Sequence, residues 1–187
     1  MPGNFCALMR AAIENAEGRR RLQWEKKGRT MILRPYRKED CGQTARLFYE
    51  TVHTVNARDY SPSQLAAWAP APPRPEAWHA SFCGHYALVA EENGAVVGFG
   101  DIDGTGYLDR LYVHKDYQGR GVAAALCTAL EQHAAGMPVT VHASVTARPF
   151  FEKRGYRVCR RQQVLRVGVA LTNFVMIKGP GPAPGAV

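Results

Sequence analysis

The chain has 187 residues, of which 46% are hydrophobic and 21% charged; this composition fits one globular domain and excludes a fibrous or mainly disordered protein. No apolar run approaches the roughly 18–20 residues of a membrane-spanning helix, and the N-terminus lacks the pattern of a secretory signal. The formal net charge is +8, and half of it comes from residues 1–30, which hold seven basic and three acidic side chains. The +4 left for residues 31–187 suits an anionic small ligand as well as a nucleic acid, so charge alone identifies no partner.

The cysteines indicate a reducing compartment. They are isolated in the sequence and form no Cys-x-x-Cys pair: Cys6, Cys41, Cys83, Cys127 and Cys159. An odd, scattered set is typical of reduced thiols and not of a disulfide framework. The sequence therefore predicts a soluble, cytoplasmic protein.

The chain divides into three parts. Residues 1–30 form a basic N-terminal extension, in which residues 7–21 could form a helix or remain a disordered arm. Residues 31–178 hold all the strongly patterned segments and are predicted to be the folded domain. Residues 179–187 are Gly, Pro and Ala apart from the final Val, and we expect this tail to stay disordered.

The patterned segments alternate between strand and helix. In chain order they predict a strand at 32–34, a helix at 38–57, a helix opened by Ser61-Pro62 and running to 68, a proline-rich loop at 70–75, strands at 86–90 and 95–101 around Asn93-Gly94, a strand at 107–113, a helix at 121–135, a strand at 139–143, a helix at 148–153, and strands at 156–167 and 174–178. Asn-Gly between two apolar runs is a strong hairpin signal. This order predicts an α/β fold with a mixed sheet and helices on both faces.

The turn from the strand at 107–113 into the next helix is rich in glycine. Its sequence is Gln118-Gly119-Arg120-Gly121-Val122-Ala123. Glycine lets the backbone approach a ligand closely, and the unpaired N–H groups at a helix N-terminus attract phosphate. Neither the nucleotide P-loop nor the dinucleotide Gly-x-Gly-x-x-Gly pattern is present, so the turn alone is a weak signal.

The residues around this turn resemble a known family. Residues 107–123 are similar to the acetyl-coenzyme A-binding motif of the GCN5-related N-acetyltransferase (GNAT) superfamily, Arg/Gln-x-x-Gly-x-Gly/Ala after a strand, and Gln118, Gly121 and Ala123 match it. Residues 89–99 resemble the preceding hairpin of the family, and residues 147–156 resemble its helix-to-strand signature near the acetyl group. The resemblance covers residues 31–178.

The resemblance implies a fold and a cofactor. The sheet would be mixed and mostly antiparallel, splayed between its fourth strand (107–113) and its fifth (139–143), with the pantetheine arm of acetyl-CoA in the gap and helices on both faces. Acetyl-CoA would be the co-substrate, held by backbone and side-chain groups of the following residues: Tyr112, Val113, Lys115, Gln118, Gly119, Arg120, Gly121, Val122, Ala123, Ser144 and Phe151. A backbone N–H near Val113 would polarise the thioester carbonyl, as an oxyanion hole does.

The implied activity is transfer of an acetyl group to a primary amine by direct attack in a ternary complex. The family often has a tyrosine acid where this chain has Phe151, and often an asparagine where it has Ser144. Phenylalanine donates no proton, so the acid would come from elsewhere, with Tyr112, Tyr117 and His142 as open alternatives. A thiol of pKa near about 8.5 also leaves without help.

For the base, the prediction is Asp109, which lies in the fourth strand close to where some family members carry a glutamate. Asp101 and Asp103 end the strand before it, and either a base or a binding site for a cationic amine is open to these carboxylates. The acceptor would be bound by helices of residues 38–69, with Asp101 nearby. Its predicted contacts are His53, Tyr60, Trp68 and Asp101, although Tyr60 and Trp68 also fit a small hydrophobic core.

Other functions have weaker support. The missing tyrosine favours one alternative, a non-catalytic acetyl-CoA-binding module that contacts a protein partner. The arginines of residues 154–166 alternate with valines, which indicates the solvent side of a strand and not a nucleic-acid surface. No His or Cys cluster has metal-ligand spacing. We therefore expect a small-molecule or peptide amine substrate, no metal, no nucleic acid and no membrane, and a monomer or homodimer.

Overall fold

The computed structural model describes residues 9–14, 20–26 and 29–179. Within these residues the strands are β1 (Met9–Glu14), β2 (Arg20–Lys26), β3 (Arg29–Pro35), β4 (Tyr86–Glu92), β5 (Ala95–Ile102), β6 (Tyr107–Val113), β7 (Val139–Ser144), β8 (Arg157–Arg166) and β9 (Val169–Lys178). The helices are α1 (Cys41–Thr54), α2 (Pro62–Trp68), α3 (Pro75–Ala80), α4 (Val122–His133) and α5 (Arg148–Lys153), with short 3-10 turns at 38–40, 56–58 and 115–117.

The strands form one sheet in the order β1-β2-β3-β4-β5-β6-β7-β9-β8. Every neighbouring pair is antiparallel except β6 and β7, which are parallel. This confirms the predicted mixed, mostly antiparallel sheet. The strands expected to splay, the fourth and fifth of the predicted domain, are β6 and β7.

The strands β6 and β7 separate soon after they meet. They pair only at Tyr107 with Thr140 and at Leu108 with Val141, and the N–H of Thr140 also donates to the carbonyl of Gly106 at 3.0 Å. Beyond Leu108 the remaining residues of β6 have no partner in β7. Beyond this short paired segment, the sheet therefore opens into a wedge between β6 and β7.

A β-bulge lies at the point where the wedge opens. Asp101 of β5 pairs with Arg110, and the next residue, Ile102, pairs with Leu108, so Asp109 is the extra residue of β6. Bulges bend a strand and redirect a side chain, and they are frequent beside active sites. The bulge helps to turn β6 away from β7.

Helices cover both faces of the sheet, as predicted. The helix α4 packs on one face through Leu126 and Leu130, which are fully buried with strand residues such as Leu88 and Met176. On the other face Leu47 of α1 packs with Val89 and Phe99, and Val52 packs with Leu65 of α2. Consecutive residues of β4 therefore point to opposite cores, as the alternation of a strand requires.

Two glycines of β5 let α4 approach the sheet. A Cβ atom added at Gly98 would lie 2.8 Å from Cγ1 of Val122, and one at Gly100 would lie 3.1 Å from Cδ1 of Leu130. Both distances are shorter than the roughly 3.5–4.0 Å at which carbon atoms pack. The start of α4, and the turn before it, are therefore placed by the absence of side chains in β5.

Two segments differ from the sequence-based expectation, and a third lies outside the described residues. Of the two alternatives left open for residues 7–21, the helix is wrong, because residues 9–14 and 20–26 are strands that pair in series with β3; pairing to an existing sheet edge overrides helix propensity. The helix α3 was missed, because six residues are too few to show a helical period. Residues 180–187, and with them most of the predicted tail, lie outside the described residues.

Among the described residues, no helix has the length and apolar character needed to cross a membrane. Four cysteines there are free thiols, Cys41, Cys83, Cys127 and Cys159. Cys6 lies outside the described residues.

Candidate active site

The wedge between β6 and β7 forms a cavity of about 440 Å³, here called the cleft. Residues from both strands line it, including Leu108 and Val113 of β6 and Val141 and Ala143 of β7. Thr51 of α1 closes one side, and α5 contributes a pair of aromatic rings. The splayed strands predicted from the sequence thus enclose a real cavity.

The backbone of β6 presents hydrogen-bonding groups to the cleft. The N–H of His114 donates to the carbonyl of Val97, so His114 forms a hydrogen-bonded pair across β5. Such pairs alternate with pairs whose N–H and C=O groups point away from the partner strand. In this register the backbone N–H and C=O groups of Leu111 and Val113 point away from β5, toward the cleft.

This alternation corrects one predicted contact. Tyr112 was expected to bond the cofactor through its backbone, but its backbone groups face Phe99 of β5. The backbone groups of Leu111, which the sequence analysis omitted, face the cleft beside those of Val113. The side chain of Tyr112 still lines the cleft.

The carbonyl of Val113 anchors the glycine-rich turn. It accepts a hydrogen bond from Nε2 of Gln118 at 2.7 Å and one from Oγ1 of Thr51 at 3.4 Å. The first of these bonds holds the turn against the end of β6. The side chain of Gln118 therefore acts on the protein's own backbone in this structure.

The turn has the left-handed backbone that favours glycine. Gly119 has φ of 70° and Gly121, which caps α4, has φ of 90°. Val122 is buried beneath the helix, and Ala123 lines the cleft beside Gln118. The N-terminus of α4 therefore borders the cleft, as the sequence predicted.

Arg120 and Lys115 lie at the rim of this region. The guanidinium of Arg120 stacks over the ring of Tyr117, with its carbon 4.7 Å from the ring centre. Lys115 is exposed, pairs with Asp116 at 3.2 Å and does not line the cleft. Of the two cations, only Arg120 belongs to the turn itself.

The far wall of the cleft includes the two residues where the chain departs from the family pattern. Ser144 lines the cleft, and its hydroxyl accepts a hydrogen bond from the N–H of Ala147 at 3.1 Å. Phe151 also lines it and is 2% exposed, with its ring edge-to-face against Phe150 and Tyr156. The position that would hold a tyrosine hydroxyl is therefore filled by a carbon-only ring at the cleft.

A second cavity, of about 460 Å³, adjoins the cleft. The residues that line both are Trp68, Asp109, Tyr112, His142 and Ser144. The second cavity extends toward α1, α3 and the β8–β9 hairpin. Two compartments that share a wall can hold two reactants side by side.

Asp109 stands on the shared wall. It is the bulge residue, and its side chain keeps 39% of its exposure. One carboxylate oxygen lies 3.3 Å from Nη2 of Arg110. A partly solvated carboxylate in this place can accept a proton or bind an ammonium group.

Asp101 has a different role from the one predicted. Its carboxylate is fully buried and lines neither cavity. Arg110 donates to both of its oxygens, at 2.9 and 2.8 Å, and Nδ1 of His85 lies 2.6 Å from one of them. Burial raises the pKa of Asp101, although the charge of Arg110 opposes that rise. The prediction of a substrate contact is replaced by a structural ion pair.

His85, Asp101 and Asp109 also place ligand atoms within 4.8 Å of one another. The guanidinium of Arg110 pairs with both carboxylates. Arg110 therefore already supplies a positive charge to Asp101 and Asp109.

Of the predicted acceptor residues, Tyr60 and Trp68 line the second cavity, whereas His53 lines neither. Nε2 of His53 lies 2.8 Å from the carbonyl of Ala69, so this histidine ties α1 to the end of α2. The hydroxyl of Tyr60 donates to the carbonyl of Thr172 at 2.7 Å and accepts from the N–H of Val145 at 2.9 Å. Tyr60 thus shapes the wall with its ring while its hydroxyl is engaged.

The alternatives for a general acid separate in space. Tyr156, five residues beyond Phe151, is not one of them, because it donates to Glu131 at 3.0 Å in the core beside α4 and lines neither cavity. Tyr112 and His142 line both cavities, and Tyr117 lines neither. Burial, and then the charge of Asp109, raise the pKa of the Tyr112 phenol above its usual range, so this group keeps its proton at neutral pH.

Several residues of these cavities were absent from the sequence prediction, among them Arg110, Leu111, Arg166 and Asn173. Arg110 and Leu111 stand next to Asp109, and their orientation depends on the bulge. Arg166 and Asn173 lie on the last hairpin, which folds over the second cavity from far along the chain. No local pattern marks such residues.

Comparisons with known proteins agree with this architecture. Residues 56–178 match the model of the acetyltransferase (GNAT) domain. The chain is 35% identical over 145 residues to a protein of Escherichia coli (strain K12) named Uncharacterized N-acetyltransferase YafP; the match covers 77% of this chain and 93% of that protein.

Solved structures give the same answer. The crystal structure of a GCN5-related N-acetyltransferase from Rhodopseudomonas palustris superposes with a TM-score of 0.74 at 39% identity, covering 79% of this chain and 94% of that one. The structure of yncA from Salmonella typhimurium, at 20% identity and a TM-score of 0.61, shares the fold over 84% of this chain and 99% of that one.

A sheet wedged open between two parallel strands, with a glycine-rich turn at its mouth, is the acetyltransferase architecture that the sequence predicted. The chain belongs to the GNAT superfamily, and its enzymatic class is N-acetyltransferase.

Proposed function

We propose that this protein transfers an acetyl group from acetyl-CoA to a primary amine by direct attack in a ternary complex. The observation that carries the proposal is the early separation of β6 from β7, which leaves the backbone of Leu111 and Val113 facing an enclosed cleft. The structures of yncA from Salmonella typhimurium and of PaiA from Thermoplasma acidophilum hold acetyl-CoA and coenzyme A, respectively. Their fold supports the same ligand here.

The cofactor would lie along β6. Its pantetheine amides would bond the N–H and C=O groups of Leu111, as an added strand does. Its pyrophosphate would sit on the N–H groups of residues 119–123, where the dipole of α4 is positive and Arg120 adds a charge. The N–H of Val113 would polarise the thioester carbonyl, and Ser144 and Phe151 would contact the far side of the cofactor.

The acceptor amine would approach from the second cavity. Its nitrogen forms a bond to the acetyl carbon, the carbon–sulfur bond breaks, and the electron pair of that bond leaves on the sulfur of coenzyme A. Asp109, on the wall shared by both cavities, would take a proton from the amine, directly or through water. The position of this carboxylate between two compartments is the support for its role as the base.

The thiolate then needs a proton. The side chain of Phe151 supplies none. The phenol of Tyr112 lines both cavities, but burial raises its pKa further above that of a thiol, so it is the weaker acid. We infer that solvent protonates the sulfur. Because the pKa of a thiol is about 8.5, its thiolate leaves with little help from an acid.

Two further inferences accompany the activity. The free thiols among the described residues fit a reducing compartment, so we infer a cytoplasmic location. We also propose that residues 31–178 are the catalytic domain and residues 1–30 an extension of it.

The test is release of coenzyme A. Acetyl-CoA is incubated with the protein and a panel of amines, free thiol is titrated, and the amine product is identified by its mass. Thiol release that depends on the amine, with one acetyl group added to it, is the expected result. Acetyl-CoA binding by calorimetry without release for any amine would favour the alternative, a non-catalytic acetyl-CoA-binding module, for which Phe151 is the supporting residue.

A further inference from the structure

The second cavity has an aromatic wall. Six phenylalanine, tyrosine and tryptophan residues line it: Phe48, Tyr60, Trp68, Trp78, Tyr107 and Tyr112. They contact one another, with Tyr60 edge-to-face on Trp68 and Phe48 edge-to-face on Tyr112. Its volume of about 460 Å³ lies in the range of small-molecule sites. Such a wall suits an acceptor with a flat, apolar body.

The charged groups on this wall are unevenly compensated. Asp109 supplies a negative charge on the side shared with the cleft. Arg110 also lines the cavity, but its guanidinium is paired with the buried Asp101 at 2.8 Å. Arg166, at the end of β8, lines the cavity as well, and no carboxylate among the described residues pairs with it.

The charge of Arg166 is felt across the cavity. Burial raises the pKa of Tyr107 and of Tyr112, and the positive charge of Arg166 acts against that rise at both phenols. Both tyrosines belong to β6, whereas Arg166 belongs to the last hairpin. Arg166 therefore brings a positive charge to the cavity from the hairpin end.

A polar atom on the same wall also has no partner. Oδ1 of Asn173 is buried and makes no hydrogen bond within the described residues, and Asn173 lines the second cavity next to Ser144. A buried acceptor without a donor is costly, and such atoms call for a ligand or a water. Asn173 therefore requires a hydrogen-bond donor from whatever fills the cavity.

From these three features we propose that the acceptor is a free aromatic amino acid, bound with its carboxylate at Arg166 and its amine toward Asp109 and Asn173. The proposal rests on the proposed acetyl transfer, since it names the amine of that reaction. A guanidinium binds a carboxylate with paired, charge-assisted hydrogen bonds. Opposite charges at the two ends of the cavity fix the orientation, so the amine meets the side shared with the cleft.

The same charges disfavour other amines. A peptide N-terminus carries an amide where the free amino acid carries its carboxylate, and so it leaves Arg166 without a partner. A polyamine would bring a second cation toward Arg166, and like charges in one cavity repel. The expected acceptor is thus a zwitterion, and not a lysine side chain or a diamine.

The experiment compares three ligands that share one aromatic ring and one amine: phenylalanine, phenylalaninamide and phenethylamine. Phenylalaninamide has almost the shape of phenylalanine and lacks only its negative charge. Binding to the full chain is measured by calorimetry in the presence of coenzyme A, and turnover is measured separately with acetyl-CoA. We expect phenylalanine to bind at least about tenfold more tightly than phenylalaninamide.

Two arginine variants identify the contact. Arg166→Gln should remove the preference for phenylalanine over phenylalaninamide, because it removes the arginine of the second cavity with which no carboxylate among the described residues pairs. Arg161→Gln makes the same change on the same strand at a residue that lines neither cavity, and it should keep the preference. Asn173→Ala should weaken both ligands alike, since both carry the amine.

Equal or stronger binding of phenylalaninamide by the wild-type chain, or a preference that survives Arg166→Gln, overturns the proposal. No binding of phenylalanine also overturns it. Binding with the expected preference but without release of coenzyme A supports the proposed ligand class and its orientation, and contradicts acetyl transfer to that ligand instead. The two readouts therefore separate failure of the ligand class from failure of the proposed activity.

Discussion

Arg110 holds Asp101 through two hydrogen bonds, from Nε at 2.9 Å and from Nη2 at 2.8 Å, beneath the edge of the second cavity. The carboxylate is fully buried and the guanidinium nearly so, at 7% exposure. The same guanidinium lies over the ring of Phe82 at 4.0 Å and donates to Ser81. The pair thus connects α3 and the loop after it to β5 and β6.

Breaking this pair should destabilise the protein in a pH-dependent way. In Arg110→Gln the buried carboxylate of Asp101 loses its cation, which costs roughly 3–5 kcal/mol at neutral pH. Burial already raises the pKa of Asp101 above its ordinary 3.8, and without Arg110 the folded-state value rises further. A group with a raised folded-state pKa favours folding below its unfolded value and loses that contribution as pH rises.

The deficit of Arg110→Gln should therefore be largest near about pH 7 and shrink toward about pH 4, as Asp101 takes up a proton. Urea unfolding at several pH values measures it. The double variant Asp101→Asn/Arg110→Gln is the matched control and should recover much of the stability with little pH dependence. A deficit that stays constant across this range would show that the charge of Asp101 is not its cause.

The ion pair also illustrates what the sequence could not provide. Asp101, Asp109 and Arg110 were visible as charged residues of two neighbouring strands, but which of them faces a cavity depends on the bulge at Asp109. A bulge shifts the alternation of a strand by one residue, and nothing local in Tyr107–Val113 reveals it. Asp101 was accordingly predicted as a substrate contact, and Arg110 was overlooked.

Local chemistry, in contrast, was predictable. Ser61 caps α2 by accepting from the N–H of Gln64 at 3.3 Å, while Gln64 accepts from the N–H of Ser61 at 2.9 Å. Asn93 and Gly94 take positive φ values at the β4–β5 turn, as an Asn-Gly hairpin requires. The glycine-rich turn before α4 belongs to the same group. The residues of the β8–β9 hairpin that reach the second cavity depend on long-range packing and were not predictable.

The turn before α4 provides a test of cofactor binding. Gly121→Glu should weaken the affinity for acetyl-CoA at least about tenfold, because a bulky anion would occupy the place proposed for the pyrophosphate. Gly121 has φ of 90°, so any side chain there also adds strain of roughly 1–2 kcal/mol. Gly121→Ala carries the same strain without the charge and serves as the control.

Calorimetry with acetyl-CoA compares the two variants of Gly121, and thermal unfolding reports the strain that they share. If Gly121→Glu binds acetyl-CoA as tightly as Gly121→Ala, the pyrophosphate does not bind at this turn.

The N-terminal segment should be dispensable for the cofactor site. In the order of the sheet, β3, β4 and β5 separate β1 and β2 from the cleft beside β6. A chain that starts at Met31 should therefore fold and bind acetyl-CoA with unchanged affinity. Its melting temperature tests the boundary of the domain, because a fall of several degrees would assign β1 and β2 to the folded unit.

The ring of Phe151 allows a test of the acid step. Phe151→Tyr adds one hydroxyl at the cleft and should preserve folding. If departure of the thiolate limits the rate, this hydroxyl should raise turnover. A well-placed acid typically contributes about 10²–10⁴-fold. We expect a smaller gain here, because coenzyme A already leaves readily. Phe150→Tyr adds the same group one residue earlier and should not give that gain. A rate unchanged in both variants would show that thiolate protonation is not limiting.

The role of Asp109 as the base predicts a change in the pH profile. Asp109→Asn keeps the size of the side chain and removes its charge, so the amine must lose its proton to solvent. Turnover should fall most toward about pH 6, where more of the amine begins protonated, and should approach that of the wild-type chain toward about pH 9. Asp103→Asn is the matched control, because Asp103 lines neither cavity and accepts its hydrogen bonds from Thr105 and Tyr107 within its own turn. Rates are followed with a confirmed acceptor at saturating acetyl-CoA. Should Asp109→Asn match the wild-type profile while Asp103→Asn does the same, water removes the proton, and the carboxylate on the shared wall binds the amine without acting as its base.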